Sequence, residues 1–169
     1  MIKVIGVIFV LGSAGWFGVG RALHYYRAVQ QLRELRSGIE ILKCELNYTL
    51  QPISQLFRTA ASRLTGPVAA FFRRYGEELE RCTERERAAA QCLEDTRGLD
   101  LPPEAKMCLL ELCGGLGRYD LEGENRLLQL CAHRVSAAFE RAEAEKKPMA
   151  KTCAVLAFCV GLALVILTV

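Results

Sequence analysis

The sequence predicts an all-α fold: a bundle of about six helices with one further apolar helix at each end of the chain. Apolar residues between the two ends recur every three or four positions, and no segment alternates as a half-buried strand does. Two stretches without charged side chains, Val4 to Gly20 and Thr152 to Val169, lie at the ends of the 169-residue chain. Each approaches the roughly 20 helical residues that cross a bilayer core.

Three segments follow from this pattern. We predict an N-terminal transmembrane helix over 1–21, a helical domain over 22–148 and a C-terminal transmembrane helix over 149–169. Arginines and lysines flank both apolar stretches on the side of the middle domain, and positive residues resist translocation, so this domain is expected in the cytoplasm. A cleaved secretory signal peptide is the alternative for the first stretch, although no Ala-x-Ala pattern ends it.

The first helix of the domain is expected to continue from the membrane to about Tyr48. Its apolar positions step by three or four residues and form one face: Val29, Leu32, Leu35, Ile39, Leu42 and Leu46. Pro52 suits the first turn of a second helix that ends near Leu64. Gly66 and Pro67 separate this helix from a third.

The third helix contains the densest aromatic cluster in the chain. Its predicted buried residues are Val68, Phe71, Phe72, Tyr75 and Leu79. Thr83 resembles an N-cap with Glu86 at the capping-box position, which predicts a fourth helix from there. That helix is expected to bury Ala88, Ala89, Cys92 and Leu93. The pattern leaves open whether the third and fourth helices are separate or one rod.

The fifth and sixth helices meet at a glycine-rich segment. The fifth helix follows a break over 97–103, and its predicted buried stripe is Cys108, Leu109, Leu112 and Leu116. Glycines at 114, 115 and 117 end it, and Asp120 is expected to cap the sixth helix. The inner face of that helix continues through Leu128, Cys131, Val135, Ala138 and Ala142. Pro148 lacks an amide donor, so a kink is expected before the last apolar stretch.

The eight cysteines are expected to pack as small apolar residues in a reducing compartment. None forms Cys-x-x-Cys, and the two histidines, His24 and His133, do not stand at zinc-ligand spacing. Four cysteines fall on apolar helical positions: Cys82, Cys92, Cys108 and Cys131. The alternative is a secreted helical protein or enzyme with disulfides among these four, Cys44 and Cys113.

The sequence carries no motif that points to catalysis. It contains no phosphate-binding loop, nucleophile elbow or His-Glu-x-x-His helix. Adjacent acidic residues such as Glu77 and Glu78 point about 100 degrees apart around a helix, which suits a solvated face better than a paired acid and base. We therefore expect a protein that is not an enzyme and holds no metal or cofactor. A cysteine-based hydrolase lacks a convincing base.

Charge is distributed unevenly, although the net charge is only +3 and does not indicate nucleic-acid binding. Residues 77–124 contain 13 acidic and six basic side chains, whereas 21–74 contain three and nine. The basic ends are expected near anionic lipid and the acidic middle toward the cytoplasm. Candidate docking residues for a partner are Glu77, Glu78, Glu80, Glu122 and Glu124. The segment 114–120 adds Arg118, Tyr119 and Asp120, with glycines that would let a partner's backbone approach closely.

Several short motifs occur in an order that is typical of one family. They are Arg27 to Gln31, Leu32 to Leu35 leading to Glu45 and Tyr48, Pro52-Ile53 with Leu56, Leu116 to Asp120, and the lysine-rich approach to the last apolar stretch. Through these motifs the chain resembles the stage III sporulation protein AB family of endospore-forming bacteria over essentially its whole length.

That resemblance implies a helical cytoplasmic domain similar to those of the type II secretion F and type IV pilus C platform proteins. It also implies a place in the mother-cell membrane facing the forespore, within a secretion-like export channel. The implied partners are the stage III sporulation AA-type ATPase and other stage III A membrane components; self-association stays open. The family has no known catalytic residues, so none is carried over to this chain.

Overall fold

The computed structural model describes residues 26–49, 51–81 and 84–168, with side chains described as far as residue 144. Within these ranges the chain is helical and contains no strand. The first helix, α1, covers 26–48, and five more follow: α2 (Ile53–Arg63), α3 (Gly66–Glu78), α4 (Arg85–Asp95), α5 (Pro103–Gly115) and α6 (Leu121–Thr168). The predicted all-α fold with six helices in the domain is confirmed.

Most helix boundaries agree with the sequence prediction, and α3 and α4 are separate. After α3 the chain stays in a tight turn, because Glu80 N donates to Glu77 O and Arg81 N donates to Glu78 O. α4 begins at Arg85, with Glu84 in the N-cap position and without a side-chain cap. The helix therefore starts one residue later than predicted, and Thr83, on which the predicted capping box depends, lies outside the described residues.

One apolar core joins the helices, and its centre is the predicted aromatic cluster. Four rings are completely buried: Phe57, Phe71, Phe72 and Tyr75. The Phe57 ring lies edge-on to Tyr75, with centroids 4.8 Å apart, and 5.4 Å from the Phe72 centroid. These contacts pack α2 against α3. The apolar face of α1 is buried as predicted from Val29 to Leu42, whereas Leu46 at its end is only partly covered.

The helix connections separate into two groups at opposite ends of the bundle. Near the start of α1, the Gln31 amide donates to Gly98 O at 2.7 Å and accepts from Asp100 N at 2.6 Å, which fixes the α4–α5 connection there. Pro52, Glu80 and Gly117, from three other connections, lie at the other end, which we call the distal end: Pro52, Glu80 and Arg85 line one surface depression, and Gly117 lies beside Arg85. Asn47 at the end of α1 bonds Asn125 near the start of α6 at 2.8 and 2.9 Å, which marks the same end.

Four of the five cysteines whose side chains are described agree with the core-packing prediction. Cys92, Cys108 and Cys131 are buried as expected, and so is Cys113, whereas Cys44 is exposed. Cys44, Cys108, Cys113 and Cys131 are free thiols. Cys82 lies outside the described residues.

The two predicted membrane helices stay predictions. The first, over 1–21, lies outside the described residues. Over the second, 149–169, the backbone belongs to α6 as far as Thr168, and the side chains are not described. α6 is continuous through Pro148, so the predicted domain boundary falls within a helix, and the predicted kink there stays a prediction. No helix of the part that the structure describes is both long and apolar enough to cross a membrane.

Candidate functional site

The predicted docking residues come from two stretches of sequence, and the fold brings both to the distal end. Glu77 and Glu78 lie at the end of α3, Glu80 lies in the α3–α4 connection, and residues 118–124 form the α5–α6 turn and the start of α6. Arg85 links the two stretches: it lines one surface depression together with Glu80, and its Nη1 donates to Leu116 O at 2.6 Å.

Side chains from α3, α4 and α6 hold the end of α5 and the α5–α6 turn. The Tyr75 hydroxyl of α3 donates to Cys113 O at 2.8 Å, and Arg85 of α4 donates to Leu116 O. Glu124 of α6 accepts from Gly117 N at 2.6 Å. These bonds satisfy backbone groups that the end of a helix leaves without a partner. The turn is therefore fixed in place by the bundle, although it lies at the surface.

Glu124 is a structural residue of this turn. It is only 7% exposed, because its carboxylate points back to Gly117 N. It is therefore not displayed to a partner, unlike the other predicted docking residues of the turn. Asp120 behaves as the sequence predicted: its Oδ1 accepts from Gly123 N at 3.1 Å, which caps the first turn of α6, and the residue is exposed.

The glycines of this segment are explained by contacts within the chain. A Cβ on Gly114 would lie 2.7 Å from Glu86 Cγ, and one on Gly115 would lie 2.6 Å from Leu127 Cδ2. The close approach predicted at these glycines is therefore made by α4 and α6 of the same molecule. Gly117 has a φ of +83°, in the left-handed region that favours glycine.

Around the turn, the surface displays aromatic and apolar side chains that the sequence analysis missed in part. Tyr119 is 60% exposed, as predicted, and Leu121 and Tyr48 are 54% and 85% exposed. The Asn47–Asn125 pair sets Tyr48 beside the start of α6. Tyrosine and arginine are the types that most often dominate binding energy at interfaces. Tyr48 lies two residues beyond Leu46, the last position of the predicted apolar face of α1, and no docking role was predicted for it.

The charge of this surface is mixed. Glu80 pairs with Arg58 at 2.7 Å, Glu84 with Arg87 at 3.6 Å, and Arg118 with Glu86 at 3.1 Å. These pairs are exposed, so each stabilises the fold little. Glu77 and Glu122 are exposed and make no ion pair with a described residue. They are the acidic side chains most open to a basic partner.

The described residues offer no metal centre. Among them, no three His, Cys, Asp or Glu side chains are grouped as metal ligands. His133 is exposed on α6, and His24 lies outside the described residues.

We expect the substitution Glu124→Ala to destabilise the domain by about 1.5–3 kcal/mol, because it leaves the Gly117 amide without its charged acceptor. Thermal unfolding of the full chain in detergent, followed by circular dichroism, measures this loss. The control Glu122→Ala, an exposed residue of the same helical turn, should change stability by less than about 0.5 kcal/mol. Equal effects of the two substitutions would contradict a structural role for Glu124.

Comparisons with known proteins agree with one another. The family model described as stage III sporulation protein AB matches residues 3–169. Stage III sporulation protein AB of Bacillus subtilis (strain 168) is 26% identical over 174 residues, which cover 99% of each chain. A solved structure of a stage III sporulation protein AB superimposes with a TM-score of 0.63 at 22% identity, covering 72% of this chain and 98% of that one. At that identity the solved structure supports the fold alone.

Proposed function

The chain belongs to the stage III sporulation protein AB family, and on that premise we propose that its helical domain is a docking platform for a cytoplasmic ATPase. The platform is not an enzyme; it belongs to a secretion-like export channel in the mother-cell membrane facing the forespore. Its partners are the stage III sporulation AA-type ATPase and other stage III A membrane components. The observation that carries the proposal is the distal end, where a rigidly held turn displays Arg118 and Tyr119.

The geometry of the distal end suits recognition of a folded partner. Because the bonds from Tyr75, Arg85 and Glu124 already order the turn, the turn loses little conformational entropy when a partner binds it. The predicted membrane helices enter the bundle from the opposite end, since α1 starts there. A surface far from the bilayer is the one that a cytoplasmic ATPase reaches without contacting lipid.

The charges specify the kind of partner surface. Glu77 and Glu122 are open to basic side chains, and the exposed Tyr48, Tyr119 and Leu121 offer apolar contacts at the same end of the bundle. Exposed charges are screened beyond about 10 Å at 0.1 M salt, so binding through them weakens as salt rises. We propose that the ATPase presents a basic surface with an apolar centre.

We expect the double substitution Glu77→Lys with Glu122→Lys to weaken binding of the AA-type ATPase at least about tenfold, which corresponds to about 1.4 kcal/mol. Binding of the purified ATPase to the full chain in detergent, measured between low and moderate salt, tests this. The variant should also lose most of the salt dependence of the native protein. Both residues are exposed, so circular dichroism should show an unchanged fold.

The matched control is Glu140→Lys with Glu143→Lys. It makes the same change of charge at two exposed residues of α6. Eighteen residues of helix separate Glu122 from Glu140, which is about 27 Å along the axis. This control should bind the ATPase as the native chain does. If the control lost as much affinity as the distal variant, or if the distal variant bound normally, the distal end would not be the docking surface.

A further inference from the structure

Two buried cysteines face each other across the contact between α5 and α6. Cys108 lies on α5 and Cys131 on α6, and the two are 2% and 0% exposed. The Cys108 thiol lies 3.7 Å from Cys131 O, and the Cys131 thiol lies 3.6 Å from Cys108 O. Each side chain therefore reaches the backbone of the opposite helix, so the two sulfur atoms lie side by side in the interface.

The surroundings make the two thiols unequal. A hydrogen bond from the Cys131 thiol lowers the pKa of Cys108, while burial acts in the opposite direction. The same hydrogen bond and burial raise the pKa of Cys131. Arg134 favours the charged forms of both thiols, and Glu111, which pairs with Arg134 at 2.6 Å, opposes it. A pair in which one thiol gives up its proton more easily while the other keeps it is suited to thiol–disulfide chemistry.

We propose that Cys108 and Cys131 are a reversible redox pair, which hydrogen peroxide oxidises to a disulfide between α5 and α6. The Cys108 thiolate attacks one peroxide oxygen and breaks the O–O bond, giving a sulfenic acid on Cys108 and hydroxide, which takes up the Cys108 proton as water. The Cys131 sulfur then attacks the Cys108 sulfur and displaces hydroxide, which leaves as a second water with the Cys131 proton. Two thiols lose two electrons and peroxide gains them; a small dithiol returns two electrons and two protons to the disulfide by exchange and is itself oxidised to a disulfide.

This disulfide would close a loop that contains the whole α5–α6 turn. The two cysteines are 23 residues apart, and the segment 116–120 lies between them. A cross-link across such a loop restricts the unfolded chain and so stabilises the folded one. Oxidation therefore stabilises the part of the bundle that holds the turn, whether or not the turn binds an ATPase.

The test uses the full chain in detergent, treated with hydrogen peroxide, alkylated in denaturant and digested with trypsin. Cleavage after Lys106, Arg118, Arg126 and Arg134 gives the peptides 107–118 and 127–134. We expect them to be disulfide-linked, with fragmentation placing the bond at Cys108, and to separate after treatment with dithiothreitol. The melting temperature of the oxidised protein should rise by about 5–10 °C over that of the reduced protein.

Variants separate this pair from its neighbours. Cys108→Ser and Cys131→Ser should abolish both the linked peptides and the rise in melting temperature, whereas Cys113→Ala, in the same tryptic peptide as Cys108, should retain them. Exposed Cys44 shows that the peroxide was active. The proposal is overturned if Cys44 is oxidised while Cys108 and Cys131 are both recovered alkylated, or if the linked peptides come from two different molecules of an isotope-mixed sample.

Discussion

Replacing Tyr75 by alanine is expected to lower the free energy of unfolding by about 3–5 kcal/mol, the range for removing a large buried side chain. Tyr75 is completely buried and contacts the rings of Phe57 and Phe71. Its hydroxyl also donates to Cys113 O at 2.8 Å. Burial raises the pKa of Tyr75 well above its usual range, so the hydroxyl keeps the proton that this bond requires.

A second substitution separates packing from hydrogen bonding. Tyr75→Phe keeps the ring and removes the hydroxyl, so it should lose only about 1 kcal/mol. The exposed tyrosine variant Tyr119→Ala serves as the control and should lose less than about 0.5 kcal/mol. Thermal unfolding of the full-length variants, followed at 222 nm, compares them. A loss for Tyr75→Phe as large as that for Tyr75→Ala would mean that the hydrogen bond, and not the ring, dominates this site.

Gly117→Ala is expected to destabilise the domain by about 2–5 kcal/mol. Its φ of +83° lies in a region that a side chain disfavours, and a Cβ there would collide with Ile53 Cδ1 and lie 2.6 Å from Arg85 Nη1. The same Arg85 nitrogen holds Leu116 O. The added methyl group therefore both strains the backbone and displaces a side chain that fixes the turn.

Gly66→Ala is a matched control for this prediction. Gly66 has a φ of +66°, but no atom lies within 4 Å of the position that a Cβ would take. Its replacement should therefore show only the backbone strain, about 1 kcal/mol. The difference between the two variants measures the collision at Gly117. Equal losses would show that Ile53 and Arg85 move aside freely.

The helices could be predicted from the sequence because their signals are local. A spacing of three or four residues shows which face of α1 is buried, and the proline and glycines between helices limit their ends. The start of α4 was predicted less well: the helix begins at Arg85, one residue later than an N-cap at Thr83 implies, and follows a turn held by two backbone hydrogen bonds over 77–81. Such bonds depend on the path of the chain and leave no residue pattern.

The candidate site was predictable only in its location. Charge and glycine content pointed to 77–80 and 118–124, and the fold does bring these segments to one end. The role of Glu124 was not predictable, because a glutamate in the first turn of a helix is usually solvated, and here Gly117 N binds its carboxylate. The partners of Gly114 and Gly115 come from α4 and α6, so only the tertiary structure identifies them.

The length of α6 has a mechanical consequence. At 1.5 Å per residue, the axis of its 48 residues follows a path about 72 Å long. Glu124 couples the first turn of this helix to the backbone of the α5–α6 turn. No loop interrupts the helix between this contact and Thr168. The turn and residues 149–168 therefore share one helix, and a substitution that interrupts this helix between them would uncouple the two.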